Sequence, residues 1–170
     1  MARVLIVGCG GRGQTLARAL RQQGHAVRGT TRTPLGGARA AAIEAAGAEP
    51  WSGDPDRIAT LTGALDGVTV LCWLLGSASG SAEQLAALQG PRLRMLLERT
   101  IDTTVRGVVY EAAGSVPAAL LADGARSVRS ACARSEIPHA LLEADPRERA
   151  GWLAAALAAI DGLLVAERQS

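Results

Sequence analysis

The chain has 170 residues, of which 18 are Arg or Lys and 16 are Asp or Glu, giving a formal net charge of +2. This length suits one domain, residues 1–170, and charge so evenly balanced gives no general attraction to nucleic acid or to an anionic membrane. All 18 of these basic residues are arginines, which excludes mechanisms that need a lysine as a general base, Schiff base or phosphate ligand.

The first predicted elements are a strand, a glycine turn and a helix. Residues 4–7 form a continuous apolar run, typical of a parallel strand buried on both faces. Gly8, Gly10 and Gly13 follow at G-x-G-x-x-G spacing, which permits a tight turn, close approach of a pyrophosphate and close packing of helix on strand. The first N–H groups of such a helix are free to bind an anion. This pattern predicts a dinucleotide site, the alternative being a glycine turn without a ligand.

The end of the second predicted strand, residues 25–32, bears on the choice of cofactor. At this point an acidic residue usually holds the ribose hydroxyls of NAD, whereas an arginine accommodates the 2′-phosphate of NADP. No acid precedes Arg39, and Thr30, Thr31 and Arg32 occupy the strand end. Arg12 in the glycine turn is a second cation, expected within reach of the same phosphate as Arg32. The sequence favours NADP, with NAD as the alternative, unless both arginines are ordinary solvated side chains.

The middle of the chain continues the alternation of helices and strands. A helix over 35–46, a strand over 48–51 and a helix over 57–65 are predicted, and Asp54 either caps that last helix or contacts adenine. A fully apolar strand over 68–75 is followed by the small residues 76–81. A loop of small residues after a central strand lets a cofactor approach the backbone, or is simply a flexible connection.

The remainder of the sequence, from about residue 83, indicates two more strands and a long last helix. A helix begins near 83, breaks or kinks at Pro91 and continues over 92–103, with Leu93, Leu96, Leu97 and Ile101 on one face. A strand over 106–113, a helix over 117–134 and a strand over 137–143 follow. Asp145 is expected to cap the last helix, whose core stripe is predicted to be Leu153, Leu157, Ile160 and Leu164. The pattern predicts a three-layer α/β fold with a doubly wound, six-stranded parallel sheet in the order 3-2-1-4-5-6.

Ligands of such sheets bind outside the carboxyl ends of the strands. His25 and His139 fall at the opposite ends and are expected to be structural or solvated. The side chains at the correct ends that we consider for chemistry are Ser77, Ser79, Tyr110, Glu111, Ser115, Glu143 and Asp145. They match no known catalytic set, so the catalytic residues are not identified, and Ser115 and Tyr110 are only weak candidates. Tyr110 is expected to be a core residue and Ser115 a helix cap.

Cysteine usage and the first residues bear on the compartment. Cys9, Cys72 and Cys132 are odd in number and far apart, which predicts free thiols rather than disulfides or a metal site. The chain starts directly with a strand, without the charged and apolar regions of a leader peptide, and no apolar run reaches about 18 residues. We therefore expect a cytoplasmic protein that does not contact a membrane.

Four stretches together carry a family resemblance: residues 4–13, the Arg-Gly-Thr-Thr-Arg segment at 28–32, Gly53-Asp54, and the strand over 67–75. They resemble the cofactor half of extended and atypical short-chain dehydrogenase/reductases, the nucleotide-sugar epimerase-like and NmrA-like proteins. The resemblance covers about the first 115 residues. It implies a Rossmann fold and an NAD(P) site.

The resemblance also implies roles for particular residues. The glycines of the turn would bind pyrophosphate, Arg32 the 2′-phosphate, Asp54 the adenine and residues 74–76 the neighbouring ribose, while Ser115 matches the region of the catalytic serine. With their neighbours, the expected cofactor-binding residues are Gly8, Gly10, Gly11, Arg12, Gly13, Gln14, Thr31, Arg32, Asp54, Leu74, Leu75 and Gly76. The Tyr-x-x-x-Lys pair of the family is absent, as is its carboxy-terminal substrate region.

Two functions are compatible with these features. The first is an NADP-binding regulatory or redox-sensing protein, and the second is a small NADPH-dependent reductase whose substrate pocket a partner subunit completes. A site for another nucleotide, such as a nucleotide sugar, is a third possibility. We also expect a homodimer, formed either through predicted helix 92–103, from Arg92 to Thr103, or through predicted helix 146–167, from Pro146 to Glu167.

Overall fold

The computed structural model describes all residues, Met1–Ser170. One six-stranded sheet, parallel throughout, runs through the molecule in the order β3-β2-β1-β4-β5-β6, which confirms the predicted topology. The strands are β1 (Arg3–Val7), β2 (Ala26–Thr31), β3 (Glu49–Ser52), β4 (Val70–Trp73), β5 (Gly107–Glu111) and β6 (His139–Leu142). All four residues of β4 and all five of β5 are buried, as expected for strands covered on both faces.

Helices cover both faces of the sheet. They are α1 (Gly11–Gln22), α2 (Ala38–Ala45), α3 (Ala59–Thr62), α4 (Ala82–Ala87), α5 (Leu93–Arg99), α6 (Ala118–Ser135) and α7 (Arg149–Gln169). The buried side chains of α1, α2 and α7 form one core with one face of the strands, and those of α3, α5 and α6 form the other. The last helix, α7, packs beside α1 on the same face of the sheet, along β5 and β6.

The segment between α4 and α5 remains helical, with an irregular turn where the sequence predicted a break or a kink. Pro91 lacks an N–H group and cannot complete an ordinary α-helical turn, and the chain passes through a π-helical turn, Leu88–Arg92, instead. Leu93, Leu96 and Leu97 pack into the core as predicted. Ile101, assigned to the same face, lies beyond the end of α5 and is exposed, so that part of the prediction is wrong.

Helix α7 starts later than the sequence indicated, and the face that it buries is shifted from the predicted stripe toward Trp152 and Ala156. Asp145 does not cap it, because its carboxylate accepts hydrogen bonds from the backbone and side chain of Arg147, and α7 begins at Arg149. The residues facing the sheet are Trp152, Ala156, Ile160, Leu163 and Leu164, whereas Leu153 and Leu157 are only partly buried. The predicted stripe was therefore half wrong.

By length and composition alone, α7 is also the one helix apolar enough to cross a membrane. A helix that packs in a protein core passes the same test. In this fold α7 packs against α1 and the strands β4–β6, with Trp152 and Ile160 almost fully buried. Its apolar character is thus explained in part by the sheet that it covers.

Candidate functional site

A cleft of about 500 Å³ opens at the carboxyl ends of β1, β2 and β4, where the glycine turn meets the sheet. This is the crevice at which strand connections diverge to opposite faces, the usual ligand position in doubly wound sheets. The residues that line it are Gly8, Cys9, Gly10, Gly11, Arg12, Gly13, Gln14, Thr30, Thr31, Arg32, Arg39, Gly53, Pro55, Leu74, Leu75, Ser77 and Ala78. Of the twelve expected cofactor residues, Asp54 and Gly76 do not line it.

The glycines of the turn differ in what surrounds them. Gly8 has φ of +92°, and a Cβ there would lie 2.5 Å from the Leu74 carbonyl oxygen, so the turn requires glycine. A Cβ at Gly13 would lie 3.0 Å from the Gly8 oxygen, which lets α1 pack closely on β1. Gly10 has no atom within 4 Å of the Cβ position. Its open side faces the cleft.

The amino end of α1 supplies unpartnered backbone donors. Gly10 is the N-cap and offers no side chain, and no acidic residue occupies the first turn. The first helical hydrogen bond runs from the Gln14 N–H to the Gly10 oxygen at 2.8 Å. The amides of residues 11–13 therefore have no helical acceptor and form, with the helix dipole, an environment favourable to an anion.

Arg12 is held on the side of the cleft away from β2. Its Nη2 donates to both carboxylate oxygens of Glu111, at 2.9 and 3.1 Å, and its guanidinium lies 5.3 Å from the centre of the Trp152 ring. Glu111 ends β5, which is separated from β2 by β1 and β4. The expectation that Arg12 and Arg32 share one phosphate is therefore not met by this arrangement.

Glu111 is fully buried and connects four parts of the chain. Besides Arg12, it accepts hydrogen bonds from the Gly76 backbone N–H at 2.9 Å and from the Trp152 indole N–H at 2.8 Å. Each carboxylate oxygen thus has two donors, and the charge is paired, as burial of a carboxylate requires. The sequence offered Glu111 as a candidate for chemistry, but the geometry gives it a structural role beneath the cleft.

Two arginines lie at the opposite end of the cleft. Arg32, at the end of β2, is half-exposed. Its Nε lies 3.5 Å from Asp54 Oδ1, and its Nη2 lies 3.7 Å from Asp56 Oδ2. Arg39, in the first turn of α2, lines the same cleft and is exposed without an ion pair. Sequence reasoning missed Arg39, because only the fold of residues 33–37 determines that α2 presents its first turn to the cleft.

Asp54 has neither a capping role nor a place in the cleft wall. Helix α3 starts at Ala59, and the Asp54 carboxylate accepts a hydrogen bond from the Asp56 amide at 2.9 Å, closing a local turn. Asp54 therefore does not cap the helix that follows it, and that alternative of the sequence analysis is wrong. Its carboxylate contacts Arg32 instead, and the cleft wall nearby is formed by Gly53 and Pro55.

The loop after β4 forms the remaining wall. Leu74, Leu75, Ser77 and Ala78 line the cleft, while Gly76 lies beneath it. A Cβ at Gly76 would lie only 2.3 Å from the Ala113 oxygen, so this glycine serves the close approach of two loops.

The weak catalytic candidates are not arranged for proton transfer. Tyr110 is fully buried, and its hydroxyl donates to Gln89 Oε1 at 2.7 Å. Burial, with a smaller contribution from the Glu111 charge, raises its pKa above the ordinary value. Ser115 is exposed and does not cap α6, whose N-cap is Pro117. Tyr110 is thus a core residue with a satisfied hydroxyl, as the sequence predicted, whereas the capping role of Ser115 was wrong.

The cysteines and histidines conform to the structural roles expected of them. All three cysteines are free and buried, and burial raises the pKa of Cys9 to about 12, so its thiol in the cleft wall is neutral near pH 7. His25 precedes β2 and its Nδ1 accepts a hydrogen bond from the Ala2 amide at 3.3 Å, while His139 begins β6. Both histidines lie at the amino ends of strands, away from the cleft.

Solved structures share this fold. An epimerase from Bacillus cereus, the UDP-glucuronic acid 4-epimerase in complex with NAD, is 15% identical with a TM-score of 0.65, over 83% of this chain and 55% of that chain. A short-chain dehydrogenase/reductase superfamily protein from Agrobacterium tumefaciens with bound NAD is 22% identical with a TM-score of 0.66, over 83% of this chain and 48% of that chain. An NADPH-dependent quinone oxidoreductase from Escherichia coli is 23% identical with a TM-score of 0.58, over 83% of this chain and 46% of that chain.

The comparisons confirm, at the level of the fold, the resemblance to short-chain dehydrogenase/reductase and epimerase proteins. The chain spans about half the length of the solved structures that it matches. No protein-family model matches it, and no curated protein does. At these identities the likeness shows the fold alone, a doubly wound Rossmann-type α/β fold.

Proposed function

We propose that residues 1–170 form a single NADP(H)-binding domain that acts as a cofactor-binding regulatory or redox-sensing protein. The observation that carries the proposal is one cleft with unpartnered α1 amides in its floor and the arginines 32 and 39 at its β2 end. The first feature suits a pyrophosphate and the second suits an added phosphate on the adenosine ribose. The neighbours described above, with bound NAD or named as NADPH-dependent, support a dinucleotide but not a choice between the two.

The orientation of the cofactor follows from these two ends. The pyrophosphate would lie on the glycine turn, and the adenosine would extend over β2 toward Arg32, leaving the nicotinamide over the loop after β4. The proposed contacts are Gly8, Gly10, Gly11, Arg12, Gly13, Gln14, Thr31, Arg32, Arg39, Leu74 and Leu75. Asp54 would act through Arg32 and Gly76 through the backbone that it positions.

A regulatory role is favoured because the cleft lacks an organised proton donor. Tyr110 is buried away from it, burial makes the Cys9 thiol a weaker acid than an ordinary cysteine, and the chain has no lysine. A protein that binds oxidised and reduced cofactor with different affinity, or binds a partner differently in the two states, needs no such donor.

The alternative is a small NADPH-dependent reductase whose pocket a second subunit completes. Hydride transfer needs mainly orientation of cofactor and substrate, and the exposed Ser115 lies beside the loop after β4, with its amide 3.3 Å from Ser77 Oγ. NADPH oxidation measured with a panel of aldehydes, ketones and quinones distinguishes the two functions. Identification of any co-purifying nucleotide tests the third possibility, a site for a nucleotide sugar.

Cofactor preference provides the direct test of the arginines. We expect NADP(H) to bind more tightly than NAD(H), and Arg32→Ala to weaken NADP+ by roughly 1.5–3 kcal/mol, the value of a hydrogen bond to a charged group, with little effect on NAD+. Arg39→Ala should act in the same direction. Titration calorimetry with both cofactors gives the comparison.

Arg129→Ala is the control for that experiment, since Arg129 is an exposed, unpaired arginine on α6, away from the cleft. Equal affinity of the wild-type protein for the two cofactors would remove the proposed role of Arg32 and Arg39. Loss of NADP+ binding in Arg129→Ala would indicate a nonspecific effect of charge.

We also propose a homodimer, and the structure favours α7 over α5 as the interface. The leucines of α5 are buried in the core, whereas Leu153 and Leu157 of α7 remain partly exposed. Light scattering should give a mass near twice 17.4 kDa. Leu157→Arg should then yield a folded monomer.

Met95→Arg, at an exposed position of α5, is the matched control and should leave the dimer intact. Trp152 is unsuitable as an interface probe because it is buried against the sheet. A monomeric mass for the wild-type protein would exclude the dimer, and dissociation by Met95→Arg would place the contact on α5.

A further inference from the structure

A second cavity, of about 330 Å³, lies between the amino ends of α1 and α7. It is lined by Gly11, Arg12, Thr15, Arg149 and Trp152. It shares Gly11 and Arg12 with the cofactor cleft, so the two cavities adjoin at the start of α1. No carboxylate lines it, and its charged side chains are both arginines.

Arg12 is fixed in this cavity with donors to spare. Only its Nη2 contacts Glu111, while the buried Nε has no partner and Nη1 makes no hydrogen bond within the chain. The ring of Trp152, itself hydrogen-bonded to Glu111, supports the guanidinium from beneath. The group is thus held in place on two sides before any ligand arrives, which lowers the entropy lost on binding.

Arg149 supplies the second charge. It is exposed and has no carboxylate within ion-pair distance, whereas Arg147, two residues earlier, is paired with Asp145 at 2.9 Å. The other lining polar group, the Thr15 hydroxyl, already donates to the Gly11 oxygen at 3.1 Å. Of the lining side chains, the arginines therefore remain available to a ligand, together with the free backbone amide of Gly11 at the start of α1.

We propose that this cavity binds the carboxylate or phosphate group of a small organic anion between Arg12 and Arg149. Because Glu111 balances one of the two positive charges, the cavity retains a net positive charge that suits a single oxyanion. We extend this proposal in one respect, which rests on the proposed function: the anion is a substrate or effector that binds in this cavity while the cofactor occupies the adjoining cleft.

The indole of Trp152 provides a local signal for testing the proposal. In ¹H–¹⁵N spectra the three tryptophans give three indole resonances, assigned with Trp51→Phe and Trp73→Phe. Succinate represents a carboxylate and inorganic phosphate a phosphate, each titrated at constant ionic strength. We expect at least one of them to shift the Trp152 resonance in a saturable manner, while the resonance of Trp51, which lies in β3, moves little.

Matched arginine variants identify where the anion binds. Arg149→Gln should weaken the binding that Trp152 reports by about tenfold or more, the effect of losing a charge-assisted hydrogen bond. Arg147→Gln removes the same charge two residues away and should change affinity by less than about twofold, since Arg147 already has a partner. No saturable shift with either anion, or equal weakening by both variants, would overturn the proposal.

NADP+ titration of the same protein separates this proposal from the cofactor proposal. Arg149 does not line the cofactor cleft, so dependence on Arg149 distinguishes this cavity from phosphate bound at the glycine turn. Arg149-dependent anion binding without NADP+ binding would remove the proposed function and retain the cavity. NADP+ binding without anion binding would do the reverse.

Discussion

Gly10→Val should abolish nucleotide binding and leave the protein folded. Gly10 lines the cleft just before the first turn of α1, and a valine side chain there would occupy the space through which a pyrophosphate reaches the free amides. The fold should tolerate the change, because the Cβ position has no atom within 4 Å and the residue has an extended conformation, with φ of −84°. The loss of glycine at the N-cap should cost about 1 kcal/mol of stability.

Calorimetric titration with NADP+ measures the binding, and a thermal melt followed by circular dichroism measures the fold. Gly162→Val is the matched control: Gly162 also has open space at its Cβ position but lies on α7, one residue from the contact of Leu163 with the start of β5. Gly162→Val should bind NADP+ with the affinity of the wild-type protein. If Gly10→Val bound NADP+ with unchanged affinity, the nucleotide would have to lie elsewhere.

The sheet and the glycine turn could be predicted because their signals are local. Apolar runs such as residues 4–7 identify central strands, and glycine spacing identifies the strand-to-helix turn that follows. The order of the strands then follows from the alternation of strands and helices. These local signals account for the confirmed part of the fold and for ten of the twelve expected residues that line the cleft.

The features of the fold and the cleft that could not be predicted depend on contacts between distant segments of the chain. The Arg12–Glu111 pair joins residues 99 positions apart, and no sequence pattern marks it. A second contact of Glu111, with the Trp152 indole N–H, places Trp152 on the sheet side of α7, and no sequence pattern marks that pair either. Propensity alone made Asp145 a good helix cap, but a nearby arginine competes for its carboxylate.

Glu111→Ala should be the most destabilising single substitution among those considered. It would leave the Arg12 guanidinium, the Gly76 amide and the Trp152 indole without their buried acceptor. Removal of one partner of a fully buried ion pair costs about 3–5 kcal/mol, because the other charge remains uncompensated, and the partial exposure of Arg12 places the expected loss at the lower end of that range. Since the total stability of a domain is about 5–15 kcal/mol, such a loss should be evident as a large fall in the urea midpoint.

Glu143→Ala is the control, since Glu143 is an exposed acid just after β6 and has no ion pair. It should change stability by no more than about 0.5 kcal/mol. Should Glu111→Ala fail to fold, Glu111→Gln keeps the size of the side chain and one acceptor oxygen, and should lose about 1–3 kcal/mol through the donors left unpaired. An unfolding free energy of Glu111→Gln equal to that of the wild type would mean that Arg12 does not depend on this carboxylate, and the support of the cleft floor would then lie in packing alone.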